Sequence, residues 1–365
     1  MQISSLIHYL EELAPISLQE SYDNSGLLLG NKNSEITSVL ISLDITEDVI
    51  NEAIQSGANL IISHHPIIFN GLKKLTGQNY VERSVILAIK HDIAIYSAHT
   101  NLDNVLENGV NTKICQLFNL QNTLILKPLK GELQKLIVFV PVNFADKVRN
   151  AMFEAGAGKI GNYDSCSFNG KGIGTFRAGE NTNPFIGKKG EIHSEPETRL
   201  EIVIPAYLST KVINAMKSVH PYEEVAYDLI SLQNEWLQVG SGMIGDLPES
   251  MNELEFLLQI KKIFIADSVR YSQLLNKPIK KVAVCGGSGS FLLKDAIKAG
   301  ADIFITGDIK YHQFFDADKK IVIADIGHYE SEQFTKELFY ELVTRKFSTF
   351  AVHLSKINTN PIKYL

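Results

Sequence analysis

Residues 39–67, VLISLDITEDVINEAIQSGANLIISHHPI, and residues 282–310, VAVCGGSGSFLLKDAIKAGADIFITGDIK, lie over one another without a gap. Ala53-Ile54 falls on Ala296-Ile297, and Gly57-Ala58 on Gly300-Ala301. The apolar run Leu60-Ile61-Ile62 falls on Ile303-Phe304-Ile305. Each copy reads as a strand, a short loop, a helix with a glycine stop, and a second strand apolar on both faces. Such βαβ units carry parallel strands. A polar segment follows the second strand in both: Ser63-His64-His65 in one, Thr306-Gly307-Asp308 in the other. A third strand pattern, residues 91–98, leads into His99 to Asp103, and residues 320–327 lead into His328 to Glu332. In each a histidine precedes a carboxylate by four positions. Two α/β lobes built this way bring polar groups to the carboxyl ends of their strands, where open α/β sheets keep ligands.

Between the lobes lies a second repeat of another kind. Residues 136–152 (LIVFVPVNFADKVRNAM) match residues 200–216 (LEIVIPAYLSTKVINAM), with Pro141 over Pro205 and Asn150-Ala151-Met152 over Asn214-Ala215-Met216. Each reads as strand, turn and helix, followed by a further strand at 165–176 or 225–231. Two such halves make a ferredoxin-like α+β domain. The polar stretch 177–197 reads as a long loop or hairpin. The organisation expected is therefore α/β: two pseudo-duplicated lobes, 1–127 and 237–365, forming one discontinuous domain around an inserted domain at 128–236. Trp236, at the return boundary, is expected to pack the domains together.

The chain has 365 residues, which favours two or three domains. Its net charge of −6 disfavours broad electrostatic binding of nucleic acid. No apolar run reaches the roughly 18–20 residues of a membrane helix. The first residues, MQISSLIHYLEELAP, read as an amphipathic helix and not a signal peptide. The 3 cysteines, Cys115, Cys166 and Cys285, are scattered, which argues against a disulfide framework or a cysteine zinc site. A reducing cytoplasm is the expected compartment.

His64-His65 is the strongest chemical signal. Imidazole is the commonest metal ligand, and adjacent side chains leaving a strand diverge, which suits two ions better than one. With Asp103, His328 and Glu332 the set offers three nitrogens and two carboxylates. His328 and Glu332 share a face if a helix begins there. The bland alternative is a strand-end histidine pair that merely caps or faces solvent, and a first-turn helix pair at 328–332. The mixed donors suit zinc, iron, manganese or nickel and do not choose between them. His99 is a candidate orienting partner or proton shuttle. Lys310 and His312 are candidates to meet a phosphate or act as acid, or else are plain surface charges. Cys285-Gly-Gly-Ser-Gly-Ser290 is either a phosphate cradle or a tight strand–helix turn. Asp44 reads as a helix cap, and His220 to Glu224 as a structural turn. A P-loop is absent.

The strings SHHPIIF (63–69), AHTNLDN (98–104), TGDIKYHQ (306–313) and GHYESE (327–332), with YDNSGLLLG (22–30), resemble the Nif-three-like dinuclear metal-centre family. Its members are also called GTP cyclohydrolase I type 2 homologues. The resemblance spans about 1–125 and 237–365. The stretch VHPYEEVAYDLI (219–230) resembles the CutA-like or P-II-like insertion of longer members. The resemblance implies two divalent cations per chain on His64, His65, Asp103, His328 and Glu332, with the two carboxylates touching both ions. It also implies a toroidal homohexamer. Two ions, two carboxylates and a bridging hydroxide leave about +1 charge, which would attract phosphate, and paired ions promote hydrolysis. The function expected is a metal-dependent hydrolase of the GTP cyclohydrolase type, acting on a nucleotide or phosphorylated substrate. A non-catalytic metal-binding regulator or metal chaperone with an effector-sensing insert is the alternative. Neither a membrane nor nucleic acid is an expected partner.

Overall fold

The computed structural model describes every residue from Met1 to Leu365. It contains 11 α-helices and three β-sheets, a mixed α/β protein. No helix is long and apolar enough to cross a membrane. The chain divides into two compact units, Met1–Pro128 with Gln238–Leu365, and Leu129–Leu237.

In the first unit one sheet runs in the order Gly26–Leu29, Ala94–Ser97, Leu60–Ser63, Ser38–Ser42, Ala351–Leu354. All its pairings are parallel except that of the edge strand Gly26–Leu29. Leu60, Ile61 and Ile62 are fully buried, as a parallel strand covered on both faces must be. The crossover helix Glu47–Ser56 starts where the Thr46 hydroxyl accepts from Val49 N. It ends at Gly57, whose φ of 68° suits glycine and strains other residues. Val49, Ile50 and Ala53 face the sheet and are buried with Leu40, Ile61 and Ile95. The helix carries the chain back, so strands 38–42 and 60–63 release their carboxyl ends at the same edge.

The second sheet runs Arg270–Tyr271, Val322–Asp325, Ile303–Gly307, Ile279–Ser288, Glu235–Met251, Gln121–Lys130. Its three strands at 279–288, 303–307 and 322–325 are mutually parallel, while Glu235–Met251 is antiparallel to Ile279–Ser288. Leu292, Ala296, Phe304 and Ile323 form its core on one side. Two strands sit across the divisions drawn from sequence. Gln121–Lys130 belongs to this sheet, and Ala351–Leu354 belongs to the other.

The second unit follows the order β-α-β-β-α-β, the pattern of ferredoxin-like units. Its sheet, Phe168–Arg177, Ile192–Pro205, Leu133–Pro141, Tyr227–Leu232, is antiparallel throughout. Helices Ala145–Glu154 and Ser209–Val219 cover one face, burying Val148, Met152, Val212 and Met216 against Leu136, Val138, Leu200 and Ile202. The strand Ile192–Pro205 starts inside the stretch read as a long loop or hairpin, and it pairs antiparallel with Phe168–Arg177, so the hairpin is the reading that holds. Its first residues, IHSEP, alternate between exposed and half-buried and end on a proline, so they lack the apolar mark of a strand. Trp236 stacks on Tyr207 within this unit, at 6.2 Å and 23° between rings.

Candidate metal centre

His64 and His65 leave the strand Leu60–Ser63 through a sharp turn in which both backbone N–H groups donate to Leu43 O, at 3.1 and 3.0 Å. The two rings diverge, with centroids 5.0 Å apart. Asp103 ends the short helix Thr100–Asp103 that follows strand Ala94–Ser97. His328 and Glu332 open and close the helix His328–Glu332 that follows strand Val322–Asp325. One helical turn puts both on the same face. Strand ends from both sheets of the unit thus supply the group.

Glu332 lies at its middle and is 2% exposed at the side chain. Its Oε1 is 3.6 Å from His64 Nε2, and its Oε2 is 2.9 Å from His65 Nε2 and 3.1 Å from His328 Nε2. Asp103 Oδ1 lies 3.6 Å from His64 Nε2. Donor atoms therefore fall into two groups that share one carboxylate: His64, Asp103 and Glu332, and His65, His328 and Glu332. A third group, His64, His65 and His99, lies beside them. Within each group the donors are within 4.8 Å of one another.

Two atoms test whether a cation fits. His64 Nε2 and Asp103 Oδ1 are buried and have no hydrogen-bond partner. At 3.6 Å they are too far apart to bond each other, and buried polar atoms are rarely left unpaired. A cation between them and Glu332 Oε1 would satisfy all three. The nitrogen and carboxylate chemistry suits a divalent transition ion.

Each ring is aimed by its other nitrogen. His64 Nδ1 bonds Ala98 O at 2.9 Å. His65 Nδ1 donates to Asp44 Oδ1 at 2.7 Å, and His328 Nδ1 to Asp308 Oδ2 at 2.7 Å. His99 Nδ1 donates to Asp23 Oδ1 at 2.8 Å. Such outer partners fix the ring and its tautomer, leaving Nε2 for a cation. Asp44 is thus no helix cap; Thr46 takes that place. Asp308 adopts a left-handed φ of 57°, tolerated by aspartate, to reach its histidine. Asp23 is tied down by Thr100 N at 3.0 Å and Asn24 N at 2.7 Å besides His99.

The electrostatics follow from this crowding. Burial alone would depress His65, but Asp44 and Glu332 on its two nitrogens raise it to about 9. Burial would depress His328 as well, but the charge of Glu332 and then the bond to Asp308 raise it to about 11. Burial would raise Glu332, but the charges of His328 and His64 outweigh it and hold the carboxyl far below its usual range. Burial and the charge of Glu332 push Asp103 up to about 8. Two carboxylates this close resist ionising together, and a cation between them removes that penalty.

The glycine-rich turn after Val284 is a packing device. Gly286 N donates to Asn111 Oδ1, Gly287 N to Ser331 Oγ and Gly289 N to Thr306 Oγ1, each at 2.9 Å. These three amides are committed within the protein. A Cβ on Gly287 would stand 2.3 Å from Glu332 Oε1, so glycine makes room for the shared carboxylate.

The remaining candidates separate cleanly. Lys310 precedes the 3-10 helix Tyr311–Ala317, and His312 lies within that helix, exposed and stacked on Phe315. Neither Lys310 nor His312 lines the cavity over the centre, whereas His99 does. His220 is held by the strand carbonyl Phe139 O at 3.1 Å and by Tyr222 N at 3.1 Å, as a structural turn requires. The carboxylates Asp23, Asp44 and Asp308 hold three of the histidine rings, a part that the sequence reading did not assign to them. Asp23 stands in the quoted string YDNSGLLLG and Asp308 in TGDIKYHQ, which was the available signal.

A sequence profile described as Duf34/NIF3 (NGG1p interacting factor 3) matches residues 1–361. A Halalkalibacterium halodurans protein named GTP cyclohydrolase 1 type 2 homolog is 43% identical over 366 residues, covering 99% of this chain and 98% of that one. A Bacillus subtilis protein of the same name is 38% identical over 370 residues, covering 99% and 98%. Among solved structures, a Bacillus cereus protein related to NIF3 superposes with a TM-score of 0.86 at 40% identity, covering 100% of this chain and 99% of that one.

Proposed function

This chain belongs to the Duf34/NIF3 family, and from that premise we propose that it is a hydrolase built on two divalent cations. His64, Asp103 and Glu332 would hold one, and His65, His328 and Glu332 the other, with zinc the first choice of ion. The observation that carries this reading is the single buried carboxylate, Glu332, shared by two donor groups. Paired divalent cations acidify water and neutralise charge that develops on the electrophile. The chain's own part is positional. Asp44, Asp308 and Ala98 O fix the rings that face the cations. Asp23 fixes His99, whose other nitrogen is the atom at which a proton can be held beside the cavity. The relatives' name brings a nucleotide ring to this chain as a substrate class, and the ring-shaped hexamer and the two lobes as repeats of one unit are part of the same proposal.

The test is elemental analysis of metal per chain in the purified, stripped and reloaded protein, with formate release from GTP followed in each. The expected content is two ions per chain. Glu332→Gln should lower both occupancies together; a variant that still holds two ions would defeat the shared-carboxylate reading. Two ions with no formate would leave a hydrolase of another substrate.

A further inference from the structure

The cavity over the centre encloses about 570 Å³, room for a small organic ligand. Not one lysine or arginine lines it. Lys127 holds its Nζ 5.7 Å from the centre of the Phe291 ring and is not itself a lining residue. Carboxylates, by contrast, accumulate. Beside Asp103 and Glu332 stand Asp23, Asp44 and Asp308, each bonded to a histidine Nδ1, and Glu20 lies in the wall. Counting only two carboxylates left the centre positive. On the same count, hydroxide included, five carboxylates against two divalent cations leave about two negative charges, before Glu20 is added. In the glycine-rich turn, the amides of Gly286, Gly287 and Gly289 are already given to Asn111, Ser331 and Thr306.

What the cavity does offer is ring faces. Tyr22 and Phe69 lie 6.2 Å apart at 38°, and are 63% and 42% exposed. Phe69 meets His99 at 6.2 Å, and His99 meets His64 and His65 at 5.2 and 5.3 Å. A run of rings therefore leads from an exposed tyrosine to the proposed ligands. Phe291, 55% exposed, is a further wall. Exposed aromatic faces stack planar heterocycles at about 1–3 kcal/mol per base. The hydroxyls of Tyr22, Tyr80 and Ser288 are neutral hydrogen-bonding groups in the same walls.

We propose that this cavity takes an uncharged planar heterocycle, of nucleobase or nucleoside kind, and disfavours polyanions such as nucleoside triphosphates. The inference rests on the metal-centre reading and narrows its substrate class. The experiment is calorimetric titration of the full-length, zinc-loaded protein with guanosine, GMP and GTP at one ionic strength, with zinc per chain measured after each titration. Affinity should fall with each added phosphate, at least tenfold from guanosine to GTP. Phe69→Ala should weaken guanosine at least tenfold while zinc content stays the same. GTP binding as tightly as guanosine, guanosine failing to bind at millimolar concentration, or an indifferent Phe69→Ala would each overturn the inference. If zinc remains at two per chain in those cases, the metal centre stands and only the substrate class is lost. If zinc is missing throughout, the centre itself fails and this inference with it.

Discussion

At the scale of single residues, the side chains that cluster were legible and their supports were not. His64, His65, Asp103, His328 and Glu332 follow apolar strand patterns, so their types and places stand out. Asp44 is 21 residues from His65, Asp308 is 20 from His328, and Asp23 is 76 from His99. No local periodicity joins such pairs; only the folded sheet edge does. Asp44→Asn keeps the size of the side chain but weakens its hold on the imidazole. It should lower affinity for the cation on His65 by about 10–100-fold, read by competition with a chelating dye. Asp23 gives a pH test. Burial would raise its carboxyl, but hydrogen bonds from His99 and Thr100 outweigh that and hold it below the ordinary range. A lowered folded value stabilises the fold above the unfolded value of about 3.9, and that stability is lost as pH falls through the folded value. In chelator, Asp23→Asn should be less stable than the parent by about 2 kcal/mol at pH 7, a typical charged hydrogen bond. Urea titrations should show this gap closing in acid; a gap that widens would contradict the assignment.

At the scale of elements, buried parallel strands announced themselves and exposed ones did not. Leu60–Ser63 and Ile303–Gly307 are buried at every position. Ala351–Leu354 alternates exposed and half-buried, so nothing in it says which sheet it joins. It pairs in parallel with Ser38–Ser42, next to the strand that delivers His64. Removing residues 351–365 should therefore loosen the first sheet. Hydrogen exchange at Val39, Leu40 and Ile41 should rise at least tenfold, while Ala283 and Val284 in the other sheet stay protected. Equal protection in both sheets would show that the strand is dispensable.

At the scale of the whole molecule, the second unit enters and leaves through the neighbouring strands Gln121–Lys130 and Glu235–Met251. Its core is its own, built of residues 136–216. In the sequence this stretch carries a repeat unlike the one on either side of it, while Gln121–Lys130 lay hidden at the border. A hairpin replacing residues 131–234 should leave the first unit folded and able to hold its cations, within about threefold of the intact chain by the same dye assay. A variant that folds, by circular dichroism, but binds no metal would show that the second unit is required for the centre.

The pairing of Ala351–Leu354 with Ser38–Ser42, and the presence of Asn360 and Ile362 in the cavity wall, also bear on biogenesis. His65 meets a carboxylate 267 positions later in the chain. During synthesis the ribosome must deliver the chain as far as Glu332 before that meeting can occur. A nascent chain short of Glu332 would carry the early histidines without their shared carboxylate, so the proposed two-cation centre could close only after that residue emerged.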